Sequence, residues 1–571
     1  MNRPPAGRLV ALLAVMVFAF GAIFVRLAVL QVSQAAELEQ RAVDQRLETV
    51  TLPAERGQIL DRVGRPLALS TPAVDVYADP RYVADPWTTA SRLGPILGLG
   101  VTELVGELSR DTTFVYLARA VELDVAERIR ELGLPGIGFL DTTKRSYPAG
   151  PLAPQVLGFV GTDGVGLWGL EQGYEEALAG TPGVRTTEFD PHGQPIVGGV
   201  HVEQAPVPGS SIVTTLDREL QFHVEQALAA AVQTQRARGG IVIVMEPNTG
   251  EILAMATAPG FDPNAFDASP PATYRNRALT DAFEPGSTNK VITAAAAVQE
   301  GVMPLDERIS VRWTMEIGPY TIHDAHPHGT LRMTLGDIIA HSSNIGAVHV
   351  ANRLGRERMA TYLSRFGLGR STGIGFPGES RGIMLPLANW SDASLATISY
   401  GQGIASTPLQ MISVFSTIAN DGRWVQPRLV RGTVDPAGMF HEAETLPSRR
   451  VVSADTARTV TQMLAYAVDY GTGTNAQVAG FQVAGKTGTA RIPHPDRPGY
   501  LPGEYMASFI GYLPAGGPKV VIAAILDRPA SVYGGLAAAP LFRQVAGVAI
   551  TQLGLVPAER VPLPPHALPL G

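Results

Sequence analysis

The chain contains no cysteine in 571 residues. That excludes a thiol nucleophile, disulfides and thiolate metal sites, while leaving the compartment open. An excess of basic charge is also missing: 45 Lys and Arg stand against 52 Asp and Glu, a net charge of −7. This gives no support to nucleic-acid binding. The acidity is diffuse, without a long charge run, and speaks mainly for solubility. There are no internal repeats, and beyond the N-terminus no stretch reads as long and apolar enough to span a bilayer. What is present is a globular composition, 45% hydrophobic and 17% charged. At about 150 residues per domain the length sets three or four domains, although large single domains are common.

The compartment is read from the N-terminus. Leu9 to Val25 carries no charge between Arg8 and Arg26, and apolar character resumes to Val32. With Arg26 snorkelling or facing a partner, residues 8–32 are long enough to cross a membrane. Arg3 and Arg8, on a tail of residues 1–7, favour an N-in orientation with everything downstream outside the cytoplasm. A signal peptide cleaved after Ser33-Gln34-Ala35 is the rival; the apolar stretch exceeds a usual signal core, which favours an uncleaved single-pass anchor. A helix is expected to continue from about Ala35 to Arg46. A mixed, glycine-rich region follows to about Pro206, and Val202 to Ser211 reads as a junction. Ile212 to Leu216 and Gly240 to Met245 read as strands among helical segments. The end, from Val561 on, is proline-rich and expected to be unpaired.

Three short motifs carry chemistry. The first is Ser287-Thr288-Asn289-Lys290. Thr288 to Glu300 is rich in helix formers and Gly301 is a stop, so a helix is expected there, with Pro285-Gly286 placing Ser287 at its N-terminus. Residues three apart share a helix face, so Lys290 can reach back to Ser287. A serine hydroxyl needs a base, and the helix N-terminus favours negative charge developing near its oxygen. Lys290 can be that base only if desolvation or positive neighbours strip its proton; Lys486 is a candidate neighbour. Taken alone, the tetrad reads better as a serine cap with a snorkelling lysine.

Ser342-Ser343-Asn344 interrupts an apolar helical pattern. Buried without partners these groups would be costly, so they face a cleft or bond locally. A hydroxyl can relay a proton, and an amide can orient a carbonyl and a lysine together. The bland alternative is an N-cap at Ser342 or Ser343. Lys486-Thr487-Gly488-Thr489 lies in a strand pattern whose glycine suggests close approach by another backbone. An extended peptide could add to such an edge, with Lys486, Thr487 and Thr489 offering charge and hydroxyls to a carboxylate. A plain strand ending in a bulge is its bland alternative.

In this order, the motifs match the Ser-x-x-Lys, Ser-x-Asn and Lys-Thr-Gly set of β-lactamases and penicillin-binding proteins. Further blocks narrow the likeness: Arg56-Gly57-Gln-Ile-Leu-Asp61-Arg62, Arg145-Ser-Tyr-Pro148, Gly166 to Glu171, Val244 to Met255, Phe283-Glu-Pro-Gly-Ser287, Thr372 to Gly378, Ser399-Tyr-Gly-Gln-Gly403 and Thr407-Pro-Leu-Gln410. Over nearly its full length the chain resembles a class B penicillin-binding protein of the septal, FtsI type; elongation-type members share most of these blocks. The resemblance implies an α+β architecture. An antiparallel sheet lies between helical layers (residues 207–555), on an elongated α+β pedestal of the dimerisation type (33–206), with one transmembrane helix and a proline-rich tail (556–571). Arg56, Gly57, Asp61, Arg62 and Glu171 would belong to the pedestal motifs.

The resemblance also implies roles. Ser287 would attack between the two terminal D-alanines of a peptidoglycan stem peptide. Lys290 would take its proton, Ser342 relay it, and Asn344 hold the substrate amide. Lys486, Thr487, Gly488 and Thr489 would form the carboxylate-binding strand. The backbone N–H groups of Ser287 and Thr489 would make an oxyanion hole, in which losing one donor costs about 2.7–4 kcal/mol. A neighbouring stem's amine then resolves the acyl-enzyme. No metal or organic cofactor is implied. The implied partners are peptidoglycan strands, β-lactams (covalently), divisome proteins and a SEDS-type membrane glycosyltransferase, because no glycan-polymerising domain follows the anchor. Ser343, where class A β-lactamases carry Asp, argues mildly against a hydrolase.

A membrane-tethered β-lactamase or D,D-carboxypeptidase would share the trio, and a non-catalytic scaffold or β-lactam sensor would share the fold. One cluster stands outside this scheme. His323, Asp324, His326 and His328 lie within six residues and could ligate a metal. A satisfied or solvated loop is the preferred reading, since nothing in the motif chemistry asks for one.

Overall fold

The computed structural model describes residues 6–34, 38, 40, 46–188, 196, 199 and 201–564. Residues 1–5 of the N-terminal tail, most of the helix expected over 35–46, and the last seven residues, 565–571, lie outside this set. Two compact units form, one from residues up to Glu55 with Gly180–Pro208, the other from Arg56–Ala179 with Gly209 onward.

In the first unit, Ala6–Ala28 is an α-helix ending in a π-turn, Val29–Ser33. Its mean hydropathy is 2.5 and none of it is buried. An uncovered apolar surface of that length needs a non-aqueous surround, and the described span matches a bilayer's hydrocarbon core. Apart from it stands a three-stranded antiparallel sheet of Leu47–Leu52, Gly183–Glu188 and His201–Gln204. The expected junction at 202–211 therefore begins as a strand.

The second unit is built on a five-stranded antiparallel sheet. Its order is Ile252–Ala258, Gly239–Met245, Val520–Asp527, Tyr500–Leu513, Ala484–Pro493, so the last of these is an edge. Side chains alternate between faces along a strand. Gly239–Met245 and Val520–Asp527 are nonetheless buried throughout, because both faces are covered. Val242, Val244, Ile522 and Leu526 pack under the helices Arg218–Thr234 and Gly534–Leu553. Ile241, Ile243, Val521 and Ile525 pack into the larger core on the other face. At the centre of that core runs Lys290–Glu300, whose residues from Lys290 to Ala297 are all buried. Its four consecutive alanines let neighbours approach from every side, as a helix enclosed all round requires.

Two sequence readings need correction. Helix Gly534–Leu553 is long and apolar enough to pass as a span. Its alanines, with Leu541, Phe542 and Val545, are buried on the sheet, so its hydrophobicity is that of a core helix. The tail is not unpaired at its start. Val561 N–H donates to Gln482 Oε1 at 2.8 Å, Arg560 pairs with Asp469 at 2.9 Å, and Pro564 is buried beside Gly336.

The Arg56–Ala179 segment enters the unit through a second sheet. In it Ile59–Leu60 lies between Ser211–Thr214, to which it runs parallel, and Pro66–Ala78. Gly57 is needed there, because a Cβ would lie 2.1 Å from Ser210 O. Beside it sits a buried ion network. Glu171, fully buried, receives Arg56 Nε and Arg145 Nε, each at 2.7 Å, and the Tyr147 hydroxyl at 3.2 Å. Arg56 Nη2 also reaches Glu175 Oε2 at 2.7 Å. Asp61 Oδ1 accepts from the N–H groups of Val63 (2.9 Å) and Arg65 (2.8 Å), closing a turn, and Arg62 reaches Glu251 at 3.5 Å. Removing one partner of a buried pair leaves an uncompensated charge, which costs about 3–5 kcal/mol. Glu171→Ala strands the Arg145 guanidinium and leaves Arg56 only Glu175, and a loss of that size is expected in chemical denaturation followed by intrinsic fluorescence.

Candidate active site

The first motif does not begin as an α-helix. Gly286–Asn289 form a 3₁₀ turn and the α-helix starts at Lys290, ending at Gly301 in the left-handed conformation. Ser287 thus sits in an opening turn, where N–H groups have no intrahelical acceptor. Several bonds hold the turn. Gly286 N–H donates to Gly401 O at 3.0 Å, Asn289 Nδ2 to Ile398 O at 2.6 Å, and Thr293 Oγ1 to Ser399 O at 2.8 Å. The block from Ser399 to Gly403 is therefore the seat of the serine turn. Gly286, at φ +54°, lies where a Cβ would meet Thr489 O at 2.9 Å. Only glycine at that position lets the turn close onto the edge strand.

The second motif joins two helices, Leu335–Ala340 and Asn344–Leu354. Ser343 is the N-cap, its hydroxyl accepting from Gly346 N–H at 2.9 Å. Ser342 has φ +61°, a left-handed conformation rare for a residue with a Cβ. That geometry aims both its carbonyl and its hydroxyl at Lys290. Lys290 Nζ lies 3.1 Å from Ser287 Oγ, 2.5 Å from Ser342 O, 3.3 Å from Ser342 Oγ and 2.8 Å from Asn344 Oδ1. One amine thus draws two residues of the second motif, 52 and 54 positions from it along the chain, onto the serine.

The third motif lies on the edge strand Ala484–Pro493. A Cβ at Gly488 would meet Ser508 Oγ at 2.2 Å, with Thr288 Cγ2 and Pro285 O just beyond. Thr487 Oγ1 bonds Thr472 Oγ1 at 2.9 Å, and Thr489 Oγ1 accepts from Gly534 N–H at 3.1 Å. Lys486 Nζ, fully buried, has among the described residues only Thr487 O and Oγ1 within bonding reach, both at 3.3 Å.

Burial divides the set. Both lysines are wholly enclosed, whereas Ser287, Ser342, Asn344 and Thr489 keep partial exposure. Desolvation, followed by the positive charge of Lys486, holds the Lys290 amine well below the ordinary lysine range, while Asp324 opposes the shift. Burial pulls Lys486 down to about 7. The arrangement can therefore keep an amine neutral beside a serine hydroxyl, with a second hydroxyl in reach.

Asp324, which the sequence presents only as one member of an imidazole loop, belongs to this site. It is 5% exposed and accepts from Ser343 Oγ (2.8 Å), Asn344 N–H (2.5 Å), Ile345 N–H (3.0 Å) and His328 Nε2 (3.0 Å). No spacing rule announces an aspartate that caps a helix twenty residues downstream. Among the described residues no cluster of three or more His, Cys, Asp or Glu is placed to hold a metal. Beside Asn344 opens a cavity of about 580 Å³, lined also by Thr397, Tyr400, Arg491 and Tyr500.

Residues 240–547 match the family model of the penicillin binding protein transpeptidase domain, and residues 51–214 that of the penicillin-binding protein dimerisation domain. Penicillin-binding protein PbpB of Mycobacterium tuberculosis is 38% identical over 95% of this chain and 83% of its own length. Peptidoglycan D,D-transpeptidase FtsI of Escherichia coli K12 is 32% identical over 93% of this chain and 89% of the relative. The crystal structure of penicillin binding protein 3 from M. tuberculosis complexed with aztreonam superposes with a TM-score of 0.72 at 33% identity, covering 90% of this chain and 100% of that one. With a buried lysine drawing a serine turn and a Ser-Ser-Asn turn together beside a Lys-Thr-Gly edge strand, the chain belongs to the class B penicillin-binding proteins.

Proposed function

We propose that this peptidoglycan D,D-transpeptidase cross-links stem peptides at the division septum through an acyl-enzyme on Ser287, and that β-lactams acylate the same oxygen. The observation that carries the reading is the 3.1 Å contact between Ser287 Oγ and the enclosed Lys290 amine. Lys290 takes the serine proton as Oγ attacks the carbonyl between the terminal D-alanines. Ser342 Oγ, 3.3 Å from the same nitrogen, passes a proton to the departing amine. Asn344 holds the substrate amide with its side chain. Lys486, Thr487 and Thr489 bind the terminal carboxylate, and the N–H groups of Ser287 and Thr489 stabilise the tetrahedral oxyanion. Lys486 is the weaker candidate for base, because its bonds are to Thr487 and not to the serine.

The helix Ala6–Ala28 anchors the chain in the cytoplasmic membrane, N-terminus in, with the catalytic part on the outer side. Residues 33–206 then serve as pedestal and 207–555 as the catalytic domain. A SEDS-type polymerase and other divisome proteins are the partners that would supply glycan strands. Depletion tests the septal assignment: cells should keep adding side wall yet fail to complete septa. Loss of cell shape with normal septation would move the assignment to elongation.

Incubating the extracytoplasmic part with benzylpenicillin should give one persistent adduct in intact mass, absent from Ser287→Ala. An adduct that vanishes within seconds while penicillin is consumed would identify a hydrolase instead. An unbound wild-type chain would count against catalysis at Ser287.

The pH dependence has a defined sign. A base must be unprotonated, so acylation rises with pH as Lys290 loses its proton. Since that amine sits well below 10.5, the rise should be complete before ordinary lysines titrate. Lys486→Ala removes a neighbouring positive charge that disfavours protonated Lys290. The acid limb of the acylation rate should therefore move to higher pH, besides any loss of carboxylate binding. A limb that stays in place would separate the two lysines.

A further inference from the structure

Ser342 and Asn344 must be placed to within a few tenths of an ångström against one nitrogen, yet they sit on a turn between two short helices. Ser342 is moreover in a left-handed conformation, which persists only where its surroundings over-determine it. The surroundings come from a distant loop. Asp324 presents both carboxylate oxygens to the start of helix Asn344–Leu354: Oδ1 receives the N–H groups of Asn344 and Ile345, and Oδ2 receives Ser343 Oγ. The preceding residue adds a further tie, His323 O accepting from Asn344 Nδ2 at 3.0 Å. That bond fixes which way the Asn344 amide faces, leaving Oδ1 to Lys290. Asp324 N–H is itself pinned to Trp313 O at 3.1 Å, at the foot of the hairpin Thr314–Ile317 and Tyr320–His323.

We propose that Asp324 is a positioning residue of the transpeptidase reaction, holding Ser342, Ser343 and Asn344 in register with Lys290 and lending its negative charge to that lysine's surroundings. The inference rests on Ser287 and Lys290 acting as set out above. Asp324 touches no reacting atom; it acts through the second motif. A carboxylate at a helix N-terminus is well placed on general grounds, but here the helix it caps carries Asn344 as its first residue. Four donors converge on a group that is 5% exposed. Several titratable groups lie around it. Lys290 lies across the turn, with Lys486 beyond it; His328 donates from the same loop; His323 is its neighbour in sequence; and His341, at the end of helix Leu335–Ala340, lies close enough to feel its charge. Asp324 favours the protonated form of Lys290, in opposition to Lys486.

Asp324→Asn separates the two contributions, since it keeps the shape and loses the charge. The experiment is the second-order rate of benzylpenicillin acylation from pH 5 to 10 in the chain carrying its anchor, with thermal melting alongside. At the plateau the rate should fall tenfold or more, because an amide cannot accept from four donors and must turn one of its own against them. The acid limb should move to lower pH, because Lys290 gives up its proton more readily without the carboxylate. A structural cap alone would not produce that movement. Ser343→Ala keeps the charge and removes one donor; a smaller loss with an unmoved acid limb is expected. His328→Gln should leave the limb where it is, which assigns the movement to Asp324.

A folded D324N with wild-type rate and profile would overturn the proposal. So would a rate loss with the acid limb unmoved, which is the mark of a structural role alone. Should D324N fail to fold, a wild-type rate in S343A overturns it. A wild-type chain that forms no adduct overturns the underlying reading instead, so the two failures are distinguishable.

Discussion

The structure around the site depends on one costly arrangement: two lysines fully buried, with no carboxylate among the described residues bonded to either. An ammonium taken out of water without an ion partner is penalised until it is hydrogen-bonded or gives up its proton. Lys290 does both. It collects four oxygens from Ser287, Ser342 and Asn344, and burial together with the charge of Lys486 favours its neutral form. The local departures from regular structure serve that arrangement. The 3₁₀ opening turn sets Ser287 Oγ beside the amine, the left-handed Ser342 turns its carbonyl inward, and Gly286 lets the turn approach the edge strand. Pairing Lys290 directly with a carboxylate would satisfy it better and would hold its proton, removing the base.

The rest of the second unit supplies the rigidity this needs. A sheet covered on both faces and a helix buried from Lys290 to Ala297 cannot shift without opening tightly packed core. The serine turn is fastened to a loop whose Gly401 would clash with Gly286 O if it carried a Cβ. That is why the Ser399–Gly403 block belongs to the catalytic machinery in space although it bears no catalytic group. The Arg56 and Glu171 blocks answer a different need. They lock Arg145, Tyr147 and Glu175 into one buried network within the same unit, at a distance in sequence from the three motifs.

What could be read from the sequence follows from how local each signal is. The strands at 239–245 and 484–493 and the helix ending at Gly301 announce themselves in their own residues, and the structure has them. The 3₁₀ start at Gly286 was not legible, because it is imposed by Gly401 and Thr489 from elsewhere in the chain. Helix Gly534–Leu553 looked unlike a span by eye and passes as one by hydropathy; only the sheet beneath it decides. The tail carried prolines, which argue against regular structure but say nothing about Val561 finding the Gln482 side chain. Asp324 is the sharpest case. In sequence it stands between histidines and reads as part of a satisfied or solvated loop, with a metal as the lesser alternative; in space its partners are two backbone N–H groups, a serine and one of those histidines.

That redistribution bears on which nucleophile resolves an acyl-enzyme. Hydrolysis at a useful rate needs a base that can activate water once Ser287 is esterified. Among the described residues no carboxylate is hydrogen-bonded to Ser287, Lys290 or Ser342. The two acids nearest in the bonding network are already occupied. Asp324 is committed to four donors, and Glu284 accepts from Gly403 N–H at 2.8 Å and from the Tyr500 hydroxyl at 3.2 Å. On the proposed reading the remaining base is the Lys290 and Ser342 pair assigned to acylation. On that reading an incoming amine, intrinsically a better nucleophile than water, needs only that pair to accept its proton. On the proposed reading, a site with its carboxylates tied up and its lysine amine held beside the serine is biased toward transfer over hydrolysis, and the bias comes from the same hydrogen bonds that hold the second motif in place.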